Sequence, residues 1–140
     1  MTMPPPSGGN PNPDPQMKHV KARPRIRVQL GPAFAIGPGK ADLLQAVAET
    51  GSISAAARRM DMSYRRAWLL LDTMNRCFRE PVVDTATGGK GGGGAQITVF
   101  GKTVLKSYRA MEVRAMASMS RQLPGFSRLL RKKPPTGKVY

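Results

Sequence analysis

Two groups of residues carry charge and hydrogen-bonding capacity in arrangements suited to chemistry. The first is Ser63-Tyr64-Arg65-Arg66, a hydroxyl followed at once by an aromatic ring and two guanidinium groups. The second is TATGGKGGGGA, from Thr85 to Ala95, where glycines surround the lone cation Lys90. Guanidinium groups present planar forks of donors that match phosphate oxygens and the guanine edge. Glycine removes side-chain bulk where a backbone must lie flush against a surface, at an ordering cost that a partner has to offset. Both patterns suit binding of a polyanion rather than bond breaking. The glycine run is not a phosphate loop of the nucleotide-hydrolase kind, because that loop needs Gly-Lys followed by Ser or Thr at the head of a helix, and Lys90 is followed by glycines. His19 lies in the N-terminal arm, no serine sits near a credible base, and the acidic residues do not cluster. No catalytic residue, metal ligand or cofactor is assigned, and the chain is read as not an enzyme. The single Cys77 provides neither a disulfide framework nor a cysteine-rich metal site.

The 140 residues hold 23 Lys and Arg against 8 Asp and Glu, a net charge of +15. The excess is spread over the central segment and both arms, as expected of a protein that follows a phosphate backbone. No apolar run approaches the ~18 residues of a membrane span, and the N-terminus lacks a charged region followed by an apolar one. The expectation is a cytoplasmic, nucleoid-associated protein with no membrane contact.

The elements that must position these groups can be read in order. Residues 1–22, rich in Pro, Gly, Asn and Asp, are expected to form a disordered arm. From Arg23 to Leu30, Arg25, Arg27 and Gln29 alternate with Ile26, Val28 and Leu30, which predicts a half-buried strand with a basic outer face. Gly31-Pro32 turns the chain, and Phe34 to Ile36 return or cap it, with the pairing left open. A first helix is expected over Lys40–Glu49, with Leu43, Leu44, Val47 and Ala48 in one apolar stripe. Ser52 caps a second helix whose inner face is Ile53, Ala56, Ala57 and Met60; its alanines permit a close crossing. Asp61, which tolerates the left-handed conformation better than most residues, makes the turn, and Met62 plugs the angle.

Ser63 caps a third helix, ending before Pro81, with Ala67, Leu70, Leu71, Met74 and Phe78 buried and Trp68 at the margin. Tyr64, Arg65, Arg66, Leu69, Asp72 and Arg76 remain for solvent or ligand. Val82–Asp84 and Gln96–Val99 flank the glycine tip as a hairpin, the wing of a winged helix. After Gly101 a long helix is expected over residues 104–123, ended by Pro124-Gly125. Its apolar side, Val104, Tyr108, Met111 and Ala115, exceeds what one small domain requires and is read as a dimer seam. Phe126, Leu129 and Leu130 are free to dock before the chain frays. The fold class is α+β, mainly helical: a winged helix-turn-helix with a C-terminal dimerisation helix over residues 23–123, followed by a basic flexible tail over 124–140.

This architecture implies binding of double-stranded DNA. The third helix enters the major groove by its N-terminal half, with Arg65 or Arg66 reading a guanine edge and the other touching phosphate. Ser63, Tyr64 and Arg76 complete that face. Thr85, Thr87, Lys90 and the glycine amides are wing contacts, and Arg25, Arg27, Arg58 and Arg59 are phosphate candidates. Ser52 and Ser54, at a helix start where free N–H groups can hold a phosphate, are candidates with plain capping as the commoner role. The alternative is a winged-helix protein-interaction module or a general, architectural DNA binder.

The stretch GSISAAARRMDMSYRRAWLLLDTMNRCF, followed by TATGGKGGGGAQITVFG, closely resembles the N-terminal DNA-binding domain of the ModE-type molybdenum-responsive transcription regulators. The LysR-type regulators are more distantly similar. The likeness runs from about Ile26 to Met119 and rests above all on SYRRAW and TATGGKGGGGA. It implies a dimeric repressor or activator on an imperfect palindrome near molybdenum-related genes. It also implies that the helix Ser63–Phe78 is the recognition helix and that Asp84–Gln96 is the wing. The first and last long helices then form the dimer contact, adding Leu43 and Val47 to the seam. The chain departs from the pattern at Asp61, where many members have glycine. Full-length members continue into molybdate-binding domains where this chain stops at Tyr140, so the expectation is a regulator without the oxyanion sensor, with another protein as a candidate source of its signal.

Overall fold

A computed structural model describes residues 22–86 and 94–138. Their elements are β1 (Val28–Leu30), β2 (Ala33–Ile36), α1 (Pro38–Thr50), α2 (Ile53–Arg59), α3 (Tyr64–Cys77), β3 (Val83–Ala86), β4 (Gly94–Ile97), α4 (Val99–Met119) and α5 (Leu123–Ser127). The class is α+β, with β1–β2 and β3–β4 as separate two-stranded antiparallel sheets. Residues 25–112 form one compact unit, and residues 22–24 with 113–138 belong to a second. That division falls inside α4.

In the larger unit, α1 starts at Pro38, earlier than the expected Lys40, because proline at the first turn gives up an N–H that has no helical partner. It buries Ala41, Leu43, Leu44, Ala46 and Val47. It ends at Gly51, whose φ of 71° is the left-handed conformation and whose N–H donates to the Val47 carbonyl at 2.8 Å. Ser52 begins α2 by accepting from the Ala55 N–H at 3.2 Å. Ile53, Ala56 and Ala57 turn inward against Ala67, Leu71 and Met74 of α3.

The junction between α2 and α3 is tightly specified. Asp61 has φ 54°, and its N–H donates to the Arg58 carbonyl while the Met62 N–H donates to that of Ala57, at 3.2 and 3.0 Å. These are the two bonds of a Schellman closure, with Asp61 in the position that usually holds glycine. Met62, the following residue, packs against the core as that motif requires.

The first hairpin departs from its sequence pattern. Val28 and Leu30 are 38% and 58% exposed, and only Ile26 on that side is half-buried. A two-stranded ribbon buries only what a second layer covers. Here β2 provides the contact, through Ala35 and Ile36, and packs against α3 and α1. The alternation in β1 is real but faces no partner layer within the unit.

The second hairpin pairs Val83 with Ile97 and Thr85 with Ala95. Its return strand ends before Thr98, because the Thr98 hydroxyl accepts from the Gly101 N–H at 2.8 Å and starts α4 at Val99. Gly101 is thus inside the helix, not ahead of it. A Cβ there would lie 2.1 Å from the Val82 carbonyl oxygen, so only glycine permits this approach. In the smaller unit, α4 ends at Met119, and Pro124-Gly125 lie within α5 as early helical positions instead of terminating the preceding helix. Phe126, Leu129 and Leu130 are exposed rather than docked.

Candidate nucleic-acid interface

Helix α3 has two unlike faces. Ala67, Leu71 and Met74 recur at helical spacing and are buried. On the opposite face, Arg65, Trp68, Leu69 and Arg76 are exposed, with Asp72 half-buried among them. Arg65 lies near the middle of that outer strip, while Tyr64 and Arg66 flank it, both exposed. The Ser63 hydroxyl accepts from the Arg66 N–H at 3.1 Å and holds the helix start. The first turn contains no acidic residue, and neither Arg65 nor Arg66 has an ion-pair partner among the described residues. Two guanidinium groups therefore sit at the positive end of the helix dipole, where cations are unfavourable by a few tenths of a kcal/mol to about 1 kcal/mol. Among the described residues Arg76, in the last turn, makes only a long contact to Asp72, 3.5 Å.

The arginines of α2 are placed differently. Arg58 and Arg59 occupy its last turn, where the dipole favours them, and Arg59 pairs with Glu49. The Ser52 hydroxyl is committed to its capping bond, whereas Ser54 is exposed.

The root of the second hairpin is fastened to α3 by Asn75, which no motif or spacing singles out in advance. Its carbonyl oxygen accepts from the Val82 and Val83 N–H groups at 2.8 and 3.3 Å, and its amide donates to the Val83 carbonyl at 3.2 Å. Thr98 bridges the other strand, donating its hydroxyl to the Pro81 carbonyl and its N–H to that of Val82. The Ala95 N–H donates to the Gly51 carbonyl at 3.0 Å, tying β4 to the corner between α1 and α2. Thr85 is exposed on β3, on the wall of a cleft of about 140 Å³ shared with Ile53, Trp68, Leu71, Asp72, Asn75 and Val83. Thr87 and Lys90 lie outside the described residues.

Arg25 and Arg27 are exposed, and the Arg27 guanidinium stands 5.2 Å from the centre of the Phe34 ring. Lys40 donates to the Phe34 carbonyl; burial lowers the pKa of its amine, with Cys77 opposing and Arg27 adding to the shift.

The dimer candidates divide. Leu43, Val47 and Tyr108 are buried in the chain's own core, so they have no area left for a second copy. Tyr108 also donates its hydroxyl to the Ile26 carbonyl at 2.7 Å, and burial, reinforced by Glu112, raises its pKa. Val104 is half-buried against both core clusters, Ala115 is half-buried, and Met111 is exposed. Beside them Arg109 binds Asp42 and Gln45 of α1 and Glu112 of its own helix, at 2.8, 2.9 and 2.9 Å. Burial disfavours its charge, but the bonds to Asp42 and Glu112 outweigh this and raise its pKa. Among the described residues there is no cluster of three metal-ligating side chains and no helix long and apolar enough to cross a membrane.

The chain is similar in sequence to known proteins. It is 38% identical over 97 residues to the molybdenum transport protein ModE of Azotobacter vinelandii, covering 69% of this chain and 36% of that protein. It is 40% identical over 99 residues to the molybdenum-pterin-binding protein MopB of Rhodobacter capsulatus, covering 71% and 35%. Its homologues are molybdenum-related proteins. A third, named DNA-binding transcriptional dual regulator ModE in Escherichia coli K12, is 41% identical over 71 residues, covering 51% of this chain and 27% of that protein. The chain spans about a third of the length of the relatives it matches over most of its own. No protein-family model matches it.

Proposed function

We propose that this chain is a ModE-like transcriptional regulator whose residues 25–112 act as a winged helix-turn-helix on double-stranded DNA. The observation that carries the reading is the start of α3. Arg65 and Arg66 stand exposed, without acidic partners among the described residues, at the positive end of a capped helix. Such an arrangement costs the isolated protein some stability and is offset only by a bound anion. The net charge of +15 and the name of the Escherichia coli relative support the same partner.

In this reading α3 lies in the major groove. Arg65 reaches base edges from the middle of the outer strip, Arg66 and Tyr64 contact its rims, and Arg76 follows the backbone. The second hairpin is the wing, with Thr85, Thr87 and Lys90 against phosphate or minor groove. Arg25, Arg27, Arg58 and Ser54 are outlying phosphate contacts; Arg59, held by Glu49, and Ser52, held by its cap, contribute less. The protein acts as a homodimer on a palindromic site, with Met111 and the outer side of α4 in the seam, and regulates molybdenum-related genes.

Titration of duplexes recovered by selection from random DNA, at several salt concentrations, tests this. Arg65→Ala is expected to weaken the selected duplex about tenfold or more while leaving scrambled DNA nearly unaffected, whereas Arg66→Ala is expected to weaken both and to lower the salt slope by about one. Equal affinity of both variants and the parent for the selected duplex would remove α3 from the interface.

A further inference from the structure

The outer strip of α3 holds more than charge. Trp68 is 44% exposed and Leu69 47%, on a helix whose opposite face already supplies the core. Leu69 follows Arg65 by one helical turn and precedes Arg76 by two, so it sits between cations on one line. Trp68 lies at the edge of the strip, its ring bordering the cleft that Asn75 and Thr85 share. Asp72, half-buried, belongs to the same strip.

A surface that complements this strip must offer acceptors or anions to its cations, be apolar at one point between them, and be able to donate hydrogen bonds there. An acidic protein surface fails the last condition, because Asp72 would face like charge. The major groove meets all of them. Phosphates line its rims, the thymine 5-methyl group is an apolar knob on its floor, and cytosine presents an amino donor beside it. Along the helix Arg65 and Leu69 are separated by about 6 Å, close to two base-pair steps of about 3.4 Å.

We infer that Leu69 is a specificity-determining residue that packs on the 5-methyl group of a thymine, one or two base pairs from the pair reached by Arg65, with Trp68 closing the side of that contact next to the cleft. The inference rests on the DNA-binding reading and adds a base preference to it. It makes the site a reader of thymine through an apolar contact, alongside the guanine contact an arginine can make.

The test uses the full chain and a duplex selected from random DNA, in which each thymine is replaced in turn by deoxyuridine, removing only the methyl group. The parent protein is expected to lose about three- to fivefold in affinity at one thymine per half-site, the worth of one buried methyl. Leu69→Ala is expected to bind the selected duplex more weakly and to be indifferent to that same replacement. Leu69→Met, which keeps an apolar contact, is expected to retain the discrimination. Circular dichroism of the variants confirms that this exposed position leaves the fold intact. The proposal is overturned if the parent ignores every replacement, or if Leu69→Ala discriminates as strongly as the parent. It is equally overturned if Leu69→Ala alters self-association and leaves the thymine preference unchanged, which would make the strip a protein contact. If no duplex is selected and neither parent nor Arg65→Ala shifts DNA at low salt, the DNA-binding reading itself fails, and that result is distinct from the others.

Discussion

At the root of the second hairpin, polar groups find partners inside the protein: Asn75 serves Val82 and Val83, and Thr98 serves Pro81 and Gly101. On the far side of the same helix, Arg65 and Arg66 face solvent with no acid to meet them among the described residues. One helix thus borders a region where hydrogen bonds and close packing hold the fold and a region whose charges await something outside it. The difference separates what a substitution should damage. At the root it should cost stability; on the outer face it should cost binding and leave stability unchanged or slightly improved.

The sharpest way to break this division is Gly101→Ala. The added Cβ would collide with the Val82 carbonyl and with Ile97, and forcing the backbone apart is expected to cost about 3 kcal/mol or more. A large fall in the urea midpoint checks it; an unshifted midpoint would mean the root is not tightly packed. Asn75→Ala comes next. Stranding the Val82 and Val83 N–H groups is expected to cost about 2 kcal/mol, read in the same denaturation experiment. Its effect on DNA binding, once corrected for the unfolded fraction, should be small.

On the outer face, Arg65→Ala is expected to remove about 1–2 kcal/mol of binding to a selected duplex. Thermal melting should stay level or rise slightly, since a cation leaves the positive end of a helix. A drop in stability comparable to that of Asn75→Ala would erase the distinction between the regions. The smallest effect belongs to Arg59→Ala. Its exposed pair with Glu49 is worth no more than about 0.5 kcal/mol, and its loss should change neither melting nor affinity by more than that.

Much of this frame was legible in the residues. Ser52 and Ser63 announce helix starts because a hydroxyl before an apolar-periodic run satisfies orphan N–H groups locally. Asp61 could be placed in the turn because its short side chain tolerates positive φ. The inner face of α3 followed from spacing alone. What failed to show depended on distant parts of the chain. The early start of α4 needs Thr98 to meet Pro81 and Gly101 to lie under Val82, contacts invisible to a local window. The alternation of β1 said which residues are apolar but not that no layer would cover them. Leu43, Val47 and Tyr108 suited a dimer seam as well as a core, since apolar side chains look alike in sequence whichever surface buries them. Of the candidate DNA contacts, the arginines, the serines, Tyr64 and Thr85 have defined places in the fold, while Thr87 and Lys90 lie outside the described residues.

The fastening of the second hairpin has a mechanical consequence. Asn75 grips one strand from α3, and Gly51 grips the other from the corner ahead of α2. A ribbon anchored at both rails behaves as a strut rather than a hinge: its base can swing only if the helix that supports it swings as well. The offset between the base of the hairpin and α3 is therefore set within the fold by these bonds.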